Sequence, residues 1–377
     1  MTAVRAPDRA ADPDVHSRIV LSRLSEPGDE EMGGWVENLG APEVLGRIRT
    51  GRLASNMQAH YRARLESADV EVDVDLAARA GARLVVPGDD EWPVQVDDLG
   101  AARPLLLWVS GLPGLDVLTR RAVALVGARA CTPYGEHVAA EMAAGLGDRG
   151  WTVVSGGAYG IDAAAHRGVM AVGGSTVAVL ACGIDVVYPA AHDSLFGAVR
   201  ASGAVVSELP PGSRPMRTRF LHRNRVIAAL ARGTVVVEAA IRSGARNTAG
   251  HADALSRPVM AVPGPVTSVT SAGCHELVRV AGAALVTDAS DVVDIVGDLG
   301  ADGSLERRGE RRPHDDLDPT TLRVLEALPL RRYAPPDSIA RVAGLDASTV
   351  LRALAALSAA RLATSREGAW RRAPAQH

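Results

Sequence analysis

The chain has 377 residues, of which 47% are hydrophobic, and its formal net charge is −3. This length suffices for two or three packed domains, and the charge excludes a uniformly basic nucleic-acid coat, so any anion site must be local. All 41 basic residues are arginine, which excludes a Walker A loop and a Schiff-base lysine. The chain has three cysteines without CxxC spacing, no apolar leader and no apolar run of roughly 20 residues, a combination that predicts a soluble, cytoplasmic protein without a membrane partner.

The N-terminal residues predict a small helical domain. Apolar side chains from residue 15 to residue 76 recur at helical spacing, as Ile19 and Leu24 do. Short strands at 83–87 and 105–109 lead into the next unit. We therefore place the first domain boundary after residue 82.

Residues 83–300 alternate short β-branched runs with helical patterns. The alternation predicts an α/β core with a parallel sheet that is covered on both faces. The predicted strands are 122–126, 152–155, 176–180, 204–207, 234–237 and 259–262. Residues 210–219 interrupt the pattern, and their prolines and glycine predict a loop.

The C-terminal residues predict a linker and a small domain. Residues 301–317 are charged and poor in apolar side chains, which is typical of an exposed linker. Within residues 318–377 the pattern predicts a winged-helix domain with helices at 320–328, 336–343 and 347–360 and a strand–turn–strand at 361–372. Because the last helix offers few base-edge donors, we favour protein interaction or weak duplex binding for this domain.

Two glycine-containing loops follow predicted strands, where α/β sheets bind ligands. Gly127 and Arg129 lie in the first, and Arg129 is either a phosphate ligand or an ordinary solvated arginine; position alone leaves both open. The second loop is an incomplete dinucleotide fingerprint, because Ser155 stands where its first glycine belongs. Without a Cβ at its glycines the backbone has room for a phosphate at the helix start. His166, one turn later, is expected on the helix surface.

Arginines cluster between residues 214 and 246, against a single acid, Glu238. They are Arg214, Arg217, Arg219, Arg223, Arg225, Arg232, Arg242 and Arg246. Several phosphates on one nucleic-acid strand would explain the cluster, since arginine forks pair with phosphate oxygens. We favour this over a solvated charge run, because Arg223, Asn224 and Arg225 run directly from Phe220 into an apolar segment.

The sequence predicts no catalytic residue, no metal site and no cofactor. It has no G-x-S-x-G elbow, and His275 and Glu276 lack the second histidine of H-E-x-x-H. Glu238 is the one acid placed to act as a general base. We favour a structural role for it, orienting Arg225 or capping the loop at Ser243 and Gly244.

Seven ordered segments carry a resemblance to a known family. They are VGAR (126–129), SGGAYGIDAAAH (155–166), VLACGIDVVYP (179–189), SELPPG (207–212), FLHRNRVIAAL (220–230), VVVEAAIRSGARNTA (235–249) and VPGPV (262–266). Over residues 83–298 the chain resembles the DNA-processing protein A family, also called Smf. The resemblance implies an extended Rossmann-like core between a sterile-alpha-motif-like (SAM-like) N-terminal domain and a winged-helix domain.

The resemblance also implies a function. Family members form dimers, bind single-stranded DNA in a positively charged pocket and protect it. They help to load the RecA recombinase, displacing single-strand-binding protein during natural transformation. The DNA contacts that the resemblance implies are Arg129, Ser155, Gly156, Gly157, Phe220, Arg223, Asn224, Arg225, Ser243 and Gly244. Gly127 and Gly160 are added to the predicted site because they lie in the same two loops. Because aromatic residues make up only 3% of the chain, we expect binding through phosphates more than through base stacking.

An enzyme is the alternative. The core type also resembles nucleotide phosphoribohydrolases of the lysine-decarboxylase-like (LOG) group, whose G-T-x-x-E motif is echoed by Gly233, Thr234 and Glu238. The glycine pair before that motif is missing, with Leu230 and Ala231 in its place. The interval from Thr234 to Glu238 is also one residue too long, so we favour the DNA-binding interpretation.

Overall fold

The computed structural model describes residues 9–54, 56–298 and 317–374. Two compact units divide the chain, one within residues 1–304 and the other within residues 305–377. Apart from Leu317, the predicted linker lies outside the described residues. Inside the first unit, the division after residue 82 stays a prediction.

In the described part of the first unit, the helices before the sheet include α1 (Pro13–Leu24), α2 (Glu30–Leu39), α3 (Ala41–Thr50), α4 (Gln58–Leu65) and α5 (Val70–Arg79). Aspartate side chains accept from the first backbone N–H groups of α1, α2 and α5 and thereby set their starts. Leu21, Ile48 and Tyr61 form a buried core between the helices. Ile19, by contrast, packs with Trp108 of the sheet, so the helices also cover one end of the sheet.

A nine-stranded sheet follows, in the spatial order β1-β2-β6-β5-β4-β3-β7-β8-β9. The strands are β1 (Ala82–Val85), β2 (Leu107–Gly111), β3 (Ala122–Val126), β4 (Thr152–Ser155), β5 (Thr176–Val179), β6 (Ala204–Ser207), β7 (Thr234–Val236), β8 (Val259–Ala261) and β9 (Ala284–Leu285). From β6 to β9 all pairs are parallel, which confirms the predicted α/β class. β1 and β2, which were expected only to lead into the core, extend this sheet in antiparallel register: β1 pairs with β2, and β2 with β6.

Helices cover both faces of this sheet. They are α6 (Leu115–Thr119), α7 (Pro133–Gly147), α8 (Ile161–Ala171), α9 (Asp193–Ser202), α10 (Arg217–Leu230), α11 (Gly244–Ala254), α12 (Ala272–Val280) and α13 (Ala289–Val296), with short 3₁₀ helices at Val94–Ala102 and Ala190–His192. Alternate strand residues enter two different cores: Ala124 packs on one face of β3, whereas Val123 and Leu125 pack on the other. The sheet is therefore buried on both sides, as its apolar strands predict.

The order of the strands reverses at β3. The chain builds β4, β5 and β6 on one side of β3 and then crosses through α10 to build β7, β8 and β9 on the other. Such a switch point leaves a crevice at the carboxyl ends of the central strands, where open α/β sheets bind ligands.

The loop predicted at 210–219 is shorter in the structure, because α10 begins at Arg217. Met216 stands at the N-cap position and makes no side-chain capping bond. The sequence therefore held no start signal for this helix.

The described part of the second unit consists of α14 (Pro319–Ala327), α15 (Pro336–Ala343), α16 (Ala347–Ala359), β10 (Ala363–Arg366) and β11 (Ala369–Arg372). The three helices and the hairpin agree with the predicted winged-helix pattern within one or two residues. Val324, Ile339 and Leu354 are central to its core. Across the described residues no single helix has the length and hydropathy to cross a membrane. Helices α15 and α16 have that length and hydropathy only when they are taken together, and the angle between them is 104°.

Candidate functional site

A cavity of about 820 Å³ opens at the carboxyl ends of β3, β4 and β7. Its walls come from the loops after these strands, the first half of α10 and the start of α11. The predicted site residues that line it are Gly127, Arg129, Phe220, Arg223, Asn224, Ser243 and Gly244. Those that do not line it are Ser155, Gly156, Gly157, Gly160 and Arg225.

The loop after β3 presents Arg129 to the cavity. Gly127 is required here, because a Cβ would lie 2.5 Å from Ile161. The Ala128 N–H donates to the Glu238 carbonyl at 2.7 Å, so the backbone of the loop is fixed. Arg129 is exposed, and its guanidinium lies 4.8 Å from the centre of the Phe220 ring. No carboxylate of the described residues pairs with it, so its charge is available to an anion.

Glu238 holds this loop in place. Its carboxylate accepts from the Thr132 N–H at 2.8 Å, the Thr132 hydroxyl at 2.7 Å and the Thr270 hydroxyl at 3.0 Å. The expectation that Glu238 orients Arg225 or caps the loop at Ser243 is wrong: the carboxylate points to the β3 and β8 loops instead. The Glu238 side chain is 1% exposed, and both carboxylate oxygens accept hydrogen bonds. This arrangement suits a structural role that joins the two loops better than a role as a general base.

The glycine loop after β4 binds groups of the protein itself. Asp162, in the first turn of α8, accepts from the Ala158 N–H at 3.3 Å, so its carboxylate binds an amide of the loop that was expected to hold a phosphate. A Cβ at Gly156 would overlap the guanidinium of Arg223, and one at Gly160 would overlap the Ala128 carbonyl. The space that these glycines leave is therefore filled by a buried carboxylate, a guanidinium and backbone.

Arg223 lies at the floor of the cavity and is 7% exposed. Its Nη1 donates to the carbonyls of Val179 and, at 2.8 Å, Gly156. Burial lowers the pKa of Arg223 to about 10, with Asp162 acting in the opposite sense. Arg223 is therefore still cationic at neutral pH and gives the floor a positive charge.

His166 was expected on the helix surface, and the structure corrects this: it is fully buried. The Thr176 hydroxyl donates to the Val153 carbonyl, so its oxygen accepts from His166 Nδ1 at 2.7 Å. Nε2 is buried without a hydrogen-bond partner among the described residues. Burial lowers the pKa of His166 to about 3, and the ring is neutral at physiological pH.

Arg225 points away from the cavity. It forms a two-pronged ion pair with Glu208, at 2.6 and 2.8 Å, and a Cβ on Gly28 would lie 2.9 Å from its Nε. Successive residues of a helix are rotated by about 100°, so Arg223 and Arg225 cannot share one face. Arg219 is similarly engaged by Glu26, at 2.9 and 3.1 Å.

The start of α11 faces the cavity without a side-chain cap. The Ser243 hydroxyl at its N-cap position is buried and has no partner in the described part of the chain. Asn224 positions this turn, donating to the Gly244 carbonyl at 3.2 Å and to Asn247 at 3.0 Å. Unsatisfied N–H groups and the helix dipole make such a terminus attractive to an anion.

Arg217 and Tyr188 also line the cavity, although they were not predicted as site residues. Arg217 is exposed at the start of α10, and no acid among the described residues pairs with it. Tyr188, at the end of the loop after β5, lies 5.5 Å from Phe220, measured between ring centres. Both had a signal in the sequence, since Arg217 belongs to the arginine cluster and Tyr188 to the VLACGIDVVYP segment.

The family model described as DNA recombination-mediator protein A matches residues 83–297, which include every strand from β2 to β9 and the whole cavity. The chain belongs to the DNA recombination-mediator protein A family. One relative matches over nearly the full length: a putative DNA processing protein DprA of Mycobacterium tuberculosis is 48% identical over 374 residues, which cover 96% of this chain and 95% of that protein.

Solved structures of the DNA recombination-mediator protein A family share the fold. DNA processing protein A of Streptococcus pneumoniae superposes with a TM-score of 0.65 at 32% identity, over 76% of this chain and 99% of that one. The Helicobacter pylori protein superposes with a TM-score of 0.51 at 25% identity, over 57% and 96% of the two chains, and its structure is described as showing a single-stranded DNA binding mode. These comparisons do not favour the LOG-type alternative, and they give no catalytic activity.

Proposed function

We propose that this chain binds single-stranded DNA in the cavity at the switch point and acts there as a recombination mediator without catalysing a reaction. The observation that carries the proposal is the convergence of Arg129, Arg217 and the uncapped start of α11 on one cavity. Membership of the recombination-mediator family, and the DNA binding named for the Helicobacter pylori relative, support the choice of ligand.

The geometry favours phosphates as the groups that are recognised. Arg129 and Arg217 offer guanidinium forks, and Ser243 adds a hydroxyl beside the α11 N–H groups. Arg223 contributes positive charge at the floor of the cavity. Its guanidinium is not free to bind a phosphate with two parallel hydrogen bonds, because it already donates to two carbonyls. Binding is therefore expected to tolerate many sequences and to weaken steeply with salt.

The proposal extends to partners. A mediator of this family loads the RecA recombinase on single-stranded DNA during recombination and natural transformation, as a homodimer and against competing single-strand-binding protein. We propose these roles for this chain, in the cytoplasm, on the strength of family membership.

The decisive experiment is fluorescence anisotropy with a labelled single-stranded oligonucleotide and its duplex, over a salt series. The variant Arg129→Ala/Arg217→Ala is compared with Arg149→Ala/Arg279→Ala, which removes two exposed arginines outside the cavity. We expect the cavity variant to bind the single strand about tenfold more weakly, with a salt slope smaller by about 1.4, and the control to bind normally. Equal affinities for both variants would overturn the proposal.

The same protein samples are incubated with AMP-like nucleotides and analysed for released base. Release of base by the wild type, together with absent DNA binding, would favour the LOG-type enzyme instead. DNA binding without release is the expected outcome.

A further inference from the structure

The segment that joins α1 to α2, residues 25–29, contacts the start of α10. Glu26 lies in this segment, and its carboxylate accepts from Arg219 Nε at 2.9 Å and from Arg219 Nη2 at 3.1 Å. The two residues are 193 positions apart in the chain. Two parallel hydrogen bonds fix the orientation of a guanidinium as well as its position. The N-terminal helices thereby hold the first turn of α10.

The start of α10 lacks a local means of stabilisation. Met216 at the N-cap position makes no capping bond, and no acidic side chain lies in the first turn. That turn instead contains Arg217 and Arg219, and cations are disfavoured beside the positive end of the helix dipole. Glu26 supplies a negative charge from another part of the chain. The start of α10 therefore depends on a contact with the N-terminal helices.

The loop before α10 is held near both of its ends. Near its beginning, the guanidinium of Arg23 in α1 donates to the Pro211 carbonyl at 2.7 Å. Near its end, Arg219 Nη1 donates to the Arg214 carbonyl at 3.0 Å, while Nε and Nη2 bind Glu26. The path of the loop into α10 is therefore set by α1 and by the segment that follows it.

The opposite face of α10 forms a wall of the cavity. Arg217, Phe220 and Asn224 line the cavity, and their spacing of three and four residues places them on one face of the helix. Arg219 is two positions from Arg217, a rotation of about 200°, and it does not line the cavity. Because the first turn of the helix moves as a unit, a contact that fixes Arg219 also fixes Arg217 and Phe220.

We infer that Glu26 is a positioning residue of the DNA cavity, which sets the place of Arg217 and Phe220 through Arg219 without touching the DNA. This role rests on the proposed function, since Arg217 and Phe220 face the same cavity. Competition between Glu26 and phosphates for Arg219 would have the opposite effect on binding. The position of Arg219 favours positioning over competition, because its side chain is 15% exposed and lies outside the cavity.

The test compares Glu26→Ala with Glu43→Ala in the full chain. Both variants lose one carboxylate before the sheet, but Glu43 pairs with Arg47 of its own helix, at 2.7 Å. Arg219→Ala breaks the Glu26 ion pair from the side of α10, so the test does not depend on the folding of one variant. Anisotropy with a labelled single-stranded oligonucleotide measures binding at a fixed low salt concentration, and thermal melts verify folding. Hydrogen exchange of the backbone amides of residues 214–224 reports the order of the start of α10.

We expect Glu26→Ala to weaken single-strand binding about fivefold and to speed amide exchange at 214–224, whereas Glu43→Ala changes neither. Arg219→Ala should cause the same loss of affinity. The double variant Glu26→Ala/Arg219→Ala should lose no more than either single variant, since both changes break one contact.

A second background separates positioning from general destabilisation. When Arg217→Ala and Phe220→Leu are already present, Glu26→Ala should weaken binding less than about twofold, because the side chains that it positions are gone. A loss of about fivefold in this background as well would overturn the inference, since Glu26 would then act on something other than Arg217 and Phe220.

Stronger DNA binding by Glu26→Ala would also overturn the inference, because it would show that Glu26 competes with phosphates for Arg219. Unchanged binding by folded Glu26→Ala, or an equal loss in Glu43→Ala, would do the same. The Arg129→Ala/Arg217→Ala variant is titrated alongside. Normal binding by that variant would overturn the proposed function and the role of Glu26 together. Weak binding by it, beside normal binding by Glu26→Ala, would overturn the role of Glu26 alone.

Discussion

The guanidinium of Arg129 lies 4.8 Å from the centre of the Phe220 ring, which joins the loop after β3 to helix α10 across the mouth of the cavity. The contact restrains a long side chain while its charge still faces solvent. Such a cation–π contact is worth about 0.5–1 kcal/mol at an exposed site.

Phe220→Leu is therefore expected to weaken single-stranded DNA binding about threefold, because Arg129 loses its restraint. The salt slope should not change, since no charge is removed. Arg129→Ala should lower the slope by about 0.7. Anisotropy of the two single variants and the double variant measures the coupling. If the losses simply add, the ring contacts DNA itself and does not act through Arg129.

Arg225 and Arg217 should have opposite phenotypes. Arg225→Ala leaves Glu208 without its partner in a largely buried position, so we expect the free energy of unfolding to fall by about 3 kcal/mol, with DNA affinity of the folded protein unchanged. Arg217→Ala removes an exposed, unpaired side chain and should weaken DNA binding while leaving stability within about 0.5 kcal/mol. Urea unfolding and anisotropy on both variants check this pair. A loss of DNA affinity in folded Arg225→Ala would show that Arg225 contacts the ligand.

Glu238 is expected to have a structural role, holding together the loops that carry Thr132 and Thr270. Glu238→Ala removes three hydrogen bonds to Thr132 and Thr270, and we expect it to cost about 2 kcal/mol of stability and to weaken DNA binding through the displaced Arg129 loop. Glu238→Gln keeps the side-chain volume and one acceptor oxygen, so this variant should retain most of the stability and most of the DNA affinity. Thermal melts and anisotropy distinguish the two variants. A base-releasing activity that Glu238→Gln abolishes would instead identify the carboxylate as a general base.

His166 should make stability depend on pH. Its pKa is about 3 in the folded chain and near 6.5 when unfolded, chiefly because of burial, to which the charges of His192 and Arg223 add. Between these values the unfolded state binds the extra proton, so the stabilising contribution is complete above about pH 6.5 and is lost as the pH falls towards 3.

The slope from this one group is at most about 1.4 kcal/mol per pH unit. Urea unfolding at a series of pH values should show a shallower dependence for His166→Asn than for the wild type. His137→Gln, at an exposed position, serves as the control and should keep the wild-type slope. Parallel curves for the wild type and His166→Asn would contradict the assignment.

Much of the fold could be predicted because its signals are local. Strands at 122–126, 152–155 and 204–207 have the predicted limits, and the other predicted strands differ by one or two residues at one or both ends; β9 was not predicted. Thr132 and Pro133 mark the start of α7, with the Thr132 hydroxyl accepting from the Gly135 N–H. Side-chain periodicity and capping chemistry act within a few residues, so the sequence carries them explicitly.

The cavity itself was partly predictable. Since the carboxyl ends of parallel strands meet at one edge, the loops after β3, β4 and β7 had to lie near one another. That reasoning brings Arg129 and Ser243 to one place, and the structure agrees.

Only the tertiary structure decided which charged groups are free. Arg225 meets Glu208, Arg219 meets Glu26, and Asp162 accepts from an amide of the glycine loop that was expected to hold a phosphate. The sequence determined an α/β core with arginines at its ligand edge, because helix and strand periods and loop positions are local properties. It did not determine the partners of those arginines, because an ion pair between residues far apart in the chain exists only once packing brings the elements together and removes water from between them.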